Sequence, residues 1–211
     1  MSDFFADNKL MGLSNLVDGD TEFIPLISPE EEDRMNLEEV PEKLPILPLR
    51  NNVLFPGVVI PITLGRDKSI KLIQDAYKGN KIIGVVSQKD SSIEEPTYKD
   101  LYEIGSVAQI VKMLKMPDGS STIIIQGKKR LKLEEEISNE PYLIAKIKEF
   151  DEKRLKNISK ESVALFDSLK DMALNIIKNS PNIPSEASFA VKNIESPNFL
   201  VNFISSHMNA E

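Results

Sequence analysis

The chain reads as an α+β protein: a coiled, mostly antiparallel β domain with one helix set into it, then a small helical lobe. Between Leu44 and Phe150 the apolar residues fall in short β-prone runs separated by turn signals. One segment in that stretch, starting at Asp67, has a helical period instead. After Asp151-Glu152-Lys153-Arg154 the apolar residues recur in three- and four-residue steps to the end. Three parts follow: a leader over 1–43, a β-rich lobe over 44–150 and a helical lobe over 151–211.

The leader has no sustained period. It holds 12 of the 33 acidic and 3 of the 26 basic side chains, with Glu30-Glu31-Glu32-Asp33 and Glu38-Glu39 set among Pro25, Pro29 and Pro41. Such a segment buries too little to offset its ordering entropy, so disorder is expected. Phe4, Phe5, Leu10, Met11, Leu13 and Leu16 could form a short amphipathic helix for a partner, but a solvated tail is the simpler reading.

The β lobe opens with Leu44-Pro45-Ile46-Leu47-Pro48-Leu49. Its prolines hold it extended and are expected to confine it to a sheet edge or a strand end. Val58–Leu64 is the next strand. Asp67 is placed to cap a helix reaching about Tyr77, with Ile70, Ile73, Ala76 and Tyr77 along one face and Gly79-Asn80 ending it. Lys81–Gln88 gives a buried strand. Ile104–Leu114 and Thr122–Leu133 form a hairpin around Pro117-Asp118-Gly119-Ser120, where Gly supplies the positive φ. Leu131 and Leu133 alternate with Arg130, Lys132 and Glu134. Gly127 signals a bulge or bend. After a turn near Asn139-Glu140-Pro141, Tyr142–Phe150 alternates Leu143, Ala145 and Ile147 with Lys146 and Lys148.

In the helical lobe, Ser159 is placed to cap a helix bearing Val163, Phe166, Leu169, Ala173, Ile176 and Ile177, stopped by Asn179-Ser180-Pro181. Ser185–Ile194 is a second helix. Ser196-Pro197 supplies a cap and a first-turn proline for a third, with Phe199, Leu200, Phe203 and Ile204. The chain then ends at Asn209-Ala210-Glu211 with no polar tail, which suggests a C-terminal truncation.

Composition removes several function classes. There is no Cys, hence no disulfide or thiolate metal site. No apolar run approaches a membrane span, and the N-terminus lacks a secretory pattern, so no membrane partner is expected and the reading is of a soluble, cytoplasmic protein. Outside the leader the charge is close to balanced, which gives little pull on a polyanion. Lys128-Lys129-Arg130, with Lys132, alternates faces on a strand and lacks interleaved aromatics, so it reads as a solvated face and not a nucleic-acid patch.

Catalytic and cofactor signals are equally sparse. The one His, His207, stands near the chain end, and no Ser sits in a nucleophile turn, although an unrecognised Ser-Lys hydrolase remains an alternative. The Gly127-Lys128 pair lacks the glycine and hydroxyl residue of a phosphate loop, since Thr122 and Lys129 stand there. The acidic runs Glu30–Asp33 and Glu134–Glu136 read as solvated. No catalytic, cofactor or metal residue is assigned.

Four ordered blocks carry a resemblance. Leu44-Pro45-Ile46-Leu47-Pro48-Leu49-Arg50-Asn51-Asn52-Val53-Leu54-Phe55-Pro56-Gly57, followed by Gly65-Arg66-Asp67-Lys68-Ser69-Ile70, resembles the opening of the N-terminal domain of Lon-type ATP-dependent proteases. Glu103-Ile104-Gly105-Ser106-Val107-Ala108 and Leu114-Lys115-Met116-Pro117-Asp118-Gly119 match further family blocks, and Gln126-Gly127-Lys128-Lys129-Arg130 resembles a family strand. The resemblance, over about 44–211, implies a PUA-like β pseudobarrel followed by a helical lobe. It also implies a noncatalytic domain that recognises unfolded or degron-bearing proteins and supports a homohexamer. ATP, Mg and a Ser-Lys peptidase would belong to the parent protease, not to this chain. A stand-alone adaptor and a PUA-like nucleic-acid-binding module are the alternatives. A reader of unfolded chains needs accessible apolar surface with a polar rim. Under the resemblance, Asp67, Lys68 and Lys71 are the expected polar substrate contacts, and Pro48, Leu49, Phe55, Pro56 and Val58 the apolar ones. Phe55 and Val58 have a competing reading as core, and Asp67 as a helix cap.

Overall fold

The structure is a computed structural model; it describes residues 27–115, 121–150, 159–180, 183 and 186–208. These fall into two compact units. The first has its described residues within 30–150 and 205–208, the second within 27–29 and 159–204.

The first unit is a six-stranded sheet: β1 (Lys43–Leu49), β2 (Val59–Leu64), β3 (Ile82–Ser87), β4 (Ile104–Lys115), β5 (Ser121–Ser138) and β6 (Ile144–Glu149). The strand order is β2-β5-β4-β3-β1-β6, and β5 also pairs with β6. Five strands therefore close into a ring, with β2 attached to the first half of β5. Every pairing is antiparallel except β1 with β3. The sequence-predicted turn at Pro117-Asp118-Gly119-Ser120 lies outside the described residues, although Lys115 and Ser121 on either side of it are paired.

The apolar character of β1 has a topological cause. Leu44 and Ile46 belong to one buried cluster with Val107, Leu131 and Ala145, while Leu47 and Leu49 belong to another with Ile73, Ile83 and Ile125. A strand buried on both faces reads as a near-continuous apolar run. Such a strand is not an edge, and here the expectation from its prolines is corrected. β1 lies between β3 and β6, but the β6 pairing covers only Lys43–Pro45 and the β3 pairing begins at Ile46. The Ile46 N–H donates to Leu143 O at 2.8 Å, so two residues on the missing Pro48 donor faces the same side, beyond the end of the β6 pairing. Each proline sits where no ladder donor is required.

Gly127 marks a bulge, as its position in the run predicts. Val107 pairs with Lys129 and Ala108 with Gly127, leaving Lys128 as the extra residue. Ile123 and Ile125 consequently join the cluster of Leu47 and Leu49, and Leu131 and Leu133 that of Leu44 and Ile46, although all four are odd-numbered. Gly127 also permits a close approach, since a Cβ there would lie 2.2 Å from Phe55 O. Its own N–H donates to Val58 O and its carbonyl accepts from Gly57 N–H, both at 2.9 Å. Pro56-Gly57 form the corner of that loop, with Gly57 at φ 84° and Val58 N–H donating to Phe55 O at 3.1 Å.

Two helices belong to this region. Ahead of the strands, Pro29–Leu37 (α1) are helical, which corrects the expectation of disorder for that part of the leader. Proline suits a first helical position, three glutamates occupy the first turn, and Met35 is buried. The apolar residues at 4–16 lie outside the described residues. Asp67–Lys78 (α2) is the helix expected from Asp67, but the cap residue is Arg66, and Asp67 is the first helical position. Leu72 and Ile73 are buried, and Ile70, Ala76 and Tyr77 pack beside them.

The second unit contains Lys160–Asn179 (α3), Glu186–Asn193 (α4) and most of Pro197–Ser206 (α5). Ser159 Oγ accepts from Ser162 N–H at 3.1 Å and Ser196 Oγ from Phe199 N–H at 3.2 Å, so both predicted caps are present. Phe199, Leu200 and Phe203 of α5 are buried, as are Ala190, Val191 and Ile194. On α3 Ala173 is buried and Phe166, Leu169 and Ile177 are half-buried, whereas Val163 and Ile176 are 46% and 60% exposed. No described helix is long and apolar enough to cross a membrane.

Candidate functional site

Because β6 stops opposite Pro45, the second half of β1 has an uncovered side. A cleft of about 740 Å³ opens there. Its walls are Ile46–Leu49 of β1 with Arg50 after it, Pro61–Leu64 of β2, Gly65–Ser69 at the start of α2, Glu94–Thr97, and Asn139 with Tyr142 and Leu143. Leu47, Leu49, Leu64 and Leu72 make an apolar floor that is nearly inaccessible, and charged side chains stand around it.

Arg66 organises one wall. Its Nη1 donates to Pro48 O at 3.3 Å, capping the carbonyl that β6 leaves unpaired. Its Nη2 donates to Gln88 Oε1. Gln88, buried at the end of β3, donates in turn to Asp90 O and Ile93 O at 3.1 and 2.9 Å. Arg50 Nη2 donates to the same Ile93 carbonyl at 3.3 Å. Burial pulls the Arg66 pKa down, the neighbouring Arg50 charge adds to that, and Glu94 opposes it. The buried Arg66 Nε has no hydrogen-bond partner.

On the same α2 wall Lys68 Nζ lies 2.7 Å from Glu140 Oε1 and 3.3 Å from Asn139 O. The Glu140 hydrogen bond raises its pKa. Tyr142 Oη donates to Asp75 Oδ2 at 3.4 Å, and burial, then the Asp75 charge, lifts its pKa.

Of the sequence-predicted contacts, Pro48, Leu49, Asp67 and Lys68 line this cleft. Leu49 is 3% exposed and lends only floor. Lys71 pairs with Asp75 at 3.1 Å along α2 and does not line the cleft. Phe55, Pro56 and Val58 lie apart from it as well, in the loop that Gly127 clamps, with Val58 buried. Sequence reasoning passed over Arg66, Arg50, Gln88 and Tyr142. Arg66 stood within the Gly65–Ile70 block but was eclipsed by its charged neighbours, and a single glutamine ending an apolar run carries no signal of its own.

The basic strand residues need a correction. Lys128 is 8% exposed, with Nζ 3.4 Å from Glu38 Oε1. Lys129 Nζ lies 3.1 Å from Glu149 Oε2 and also donates to Glu38 O. The bulge carries Lys128 out of the alternation that predicted a solvated face. Both ammonium groups meet acidic partners, which weakens them further as phosphate ligands. Among the described residues no cluster of three or more metal-ligating side chains occurs. His207 Nδ1 lies 3.0 Å from Oγ of Ser206, its chain neighbour, on an exposed segment.

Comparison with known proteins now decides the family. Residues 43–211 match the model of the ATP-dependent protease La (LON) substrate-binding domain. The chain belongs to the Lon substrate-binding-domain family. Its relatives include the Lon protease of Flavobacterium johnsoniae, 57% identical over 97% of this chain and 26% of that protein. The Lon protease of Cytophaga hutchinsonii is 51% identical over 90% of this chain and 23% of that protein. This Lon domain therefore spans about a quarter of the length of the relatives it matches. The fold is shared with the N-terminal domain of Mycobacterium avium complex Lon protease, at TM-score 0.64 and 18% identity over 80% of this chain and 84% of that one. A Lon N-terminal domain protein from Xanthomonas campestris aligns at TM-score 0.51 and 16% identity, over 79% and 99%.

Proposed function

We propose that this Lon domain holds extended segments of unfolded or degron-bearing proteins in the cleft between β1, β2 and the start of α2. The observation that carries this reading is the cleft itself, an apolar floor with a polar rim, in a chain of the substrate-binding family. An apolar floor accepts varied side chains without selecting one, and polar groups above it fix the backbone's path. Asp67 and Lys68 are the polar contacts from the α2 wall, and Pro48 is the apolar contact from β1. Lys71, Phe55, Pro56 and Val58 serve a substrate only if it continues past the cleft.

In this proposal the domain works within a longer cytoplasmic ATP-dependent serine protease and supports its homohexamer. ATP and Mg act in modules outside this chain. The domain itself binds without cleaving.

Hydrogen exchange of the 211-residue chain, with and without a reduced, unfolded, apolar-rich protein, tests the reading. Protection is expected over 46–50, 61–72 and 94–97, with the added protein left intact. No protection at saturating protein would leave assembly as the domain's role and remove the cleft from it.

A further inference from the structure

Two guanidinium groups, Arg50 and Arg66, line the cleft, and neither is in a salt bridge among the described residues. Arg66 is committed to the Pro48 carbonyl and the Gln88 amide oxygen, and Arg50 to the Ile93 carbonyl. All three acceptors are neutral, and neither arginine has an ion-pair partner among the described residues. Six lysines of this unit, by contrast, sit in ion pairs: Lys68 with Glu140, Lys71 with Asp75, Lys128 with Glu38, Lys129 with Glu149, Lys132 with Glu103 and Lys146 with Glu134.

The surroundings sharpen the contrast. The Arg66 Nε–H is buried and unpartnered. Ser69, 7% exposed, lines the same cleft and its hydroxyl makes no hydrogen bond among the described residues. Both belong to the start of α2, whose first-turn N–H groups carry partial positive charge. Glu94 and Glu95 stand on the rim and Asp67 on the α2 wall, all exposed. Glu94 is the one whose field reaches Arg66, and Arg50 outweighs it. Two like charges held close are unfavourable unless an anion joins them, and a planar fork with a free N–H suits a carboxylate.

We infer that this cleft selects polypeptide segments bearing a carboxylate, which Arg66, Arg50 and Ser69 receive while apolar neighbours lie against Pro48 and Ile62. The inference rests on the proposed substrate-holding role of the cleft and adds a chemical preference to it. A carboxylate can come from an Asp or Glu side chain or from a chain terminus, and the group is the same for the site.

Fluorescence anisotropy with four labelled nonapeptides separates these cases. All are rich in Leu and Phe. They carry a central Glu or a central Gln, each with either a free or an amidated C-terminus. At 50 mM salt the acidic peptides are expected to bind the 211-residue chain at least fivefold more tightly than the Gln, amidated peptide. The advantage should fall to less than twofold in Arg50→Gln, an exposed position whose loss leaves the core intact, and in Arg66→Gln. The advantage should also shrink at 500 mM salt. A preference confined to the free terminus assigns the site to chain ends, and one confined to Glu assigns it to internal acidic segments. Equal binding of all four peptides, unchanged in Arg50→Gln, overturns the carboxylate preference and leaves the cleft as a substrate site. Failure of every peptide to bind removes the cleft reading and the preference together.

Discussion

Substituting Gly127 by Ala tests how the loop before β2 is held to the sheet. The added Cβ would sit 2.2 Å from Phe55 O and 2.9 Å from Phe55 C, both backbone atoms that cannot rotate away. The loop must shift, and with it the Gly57–Gly127 and Gly127–Val58 hydrogen bonds, both 2.9 Å. Overpacking of this kind costs about 1–3 kcal/mol. Weakening two backbone hydrogen bonds adds about 1 kcal/mol each. A loss of about 3–5 kcal/mol is expected, a large fraction of a typical domain's stability. With a urea dependence of about 2 kcal/mol/M, the midpoint should move down by about 1.5–2.5 M. Far-UV circular dichroism in urea gives the midpoint. Gly65→Ala is the control, because nothing lies within 4 Å of its added Cβ. It should leave the midpoint unchanged or raise stability by up to about 1 kcal/mol. If Gly127→Ala unfolds within about 0.5 kcal/mol of the parent chain, the close approach does not constrain the fold and the bulge argument is wrong.

Three further outcomes are expected. Ser196→Ala removes the cap on Phe199 N–H and should lower stability by about 1 kcal/mol, with faster amide exchange at Phe199; Ser196→Asp should restore it. Asp100 is held below its ordinary pKa by the Thr97 backbone N–H and then the Thr97 hydroxyl, and Asp90 by the Ser92 hydroxyl and then its N–H. A depressed carboxylate contributes its stabilisation above the unfolded pKa of about 4 and loses it as pH falls through the lower folded value. Exchange protection at Ser92 and Thr97 should therefore hold at pH 5 and fade below pH 4, and Asp100→Asn should abolish that pH dependence at Thr97. Finally, the chain should show no RNA affinity that rises as salt falls from 200 to 50 mM, since Lys128 and Lys129 meet Glu38 and Glu149. A filter-binding curve that steepened with falling salt would restore the nucleic-acid reading.

Much of the architecture was legible because it is local. The start of the β runs at Leu44, the serine caps at Ser159 and Ser196, and the bulge at Gly127 all follow from how each residue type restricts its own backbone. The Pro48–Leu49 and Asp67–Lys68 contributions to the cleft were legible as parts of motif blocks. Their roles were less so, since Leu49 is floor and Lys68 is tied to Glu140 on a distant turn.

By itself, then, the sequence determined the order and type of the main elements from Leu44 onward, and the family. Tertiary structure alone decided which sides of those elements stay open. β1 became an interior strand because β3 and β6, far along the chain, pair with it, and it kept one open flank because β6 ends opposite Pro45. Lys128 became buried because a bulge and Glu38 receive it. Arg66 became the organiser of a cleft because the Pro48 carbonyl and Gln88 were brought to it from other strands. Local sequence sets what a segment prefers, but burial, charge pairing and open edges depend on which distant segments arrive beside it.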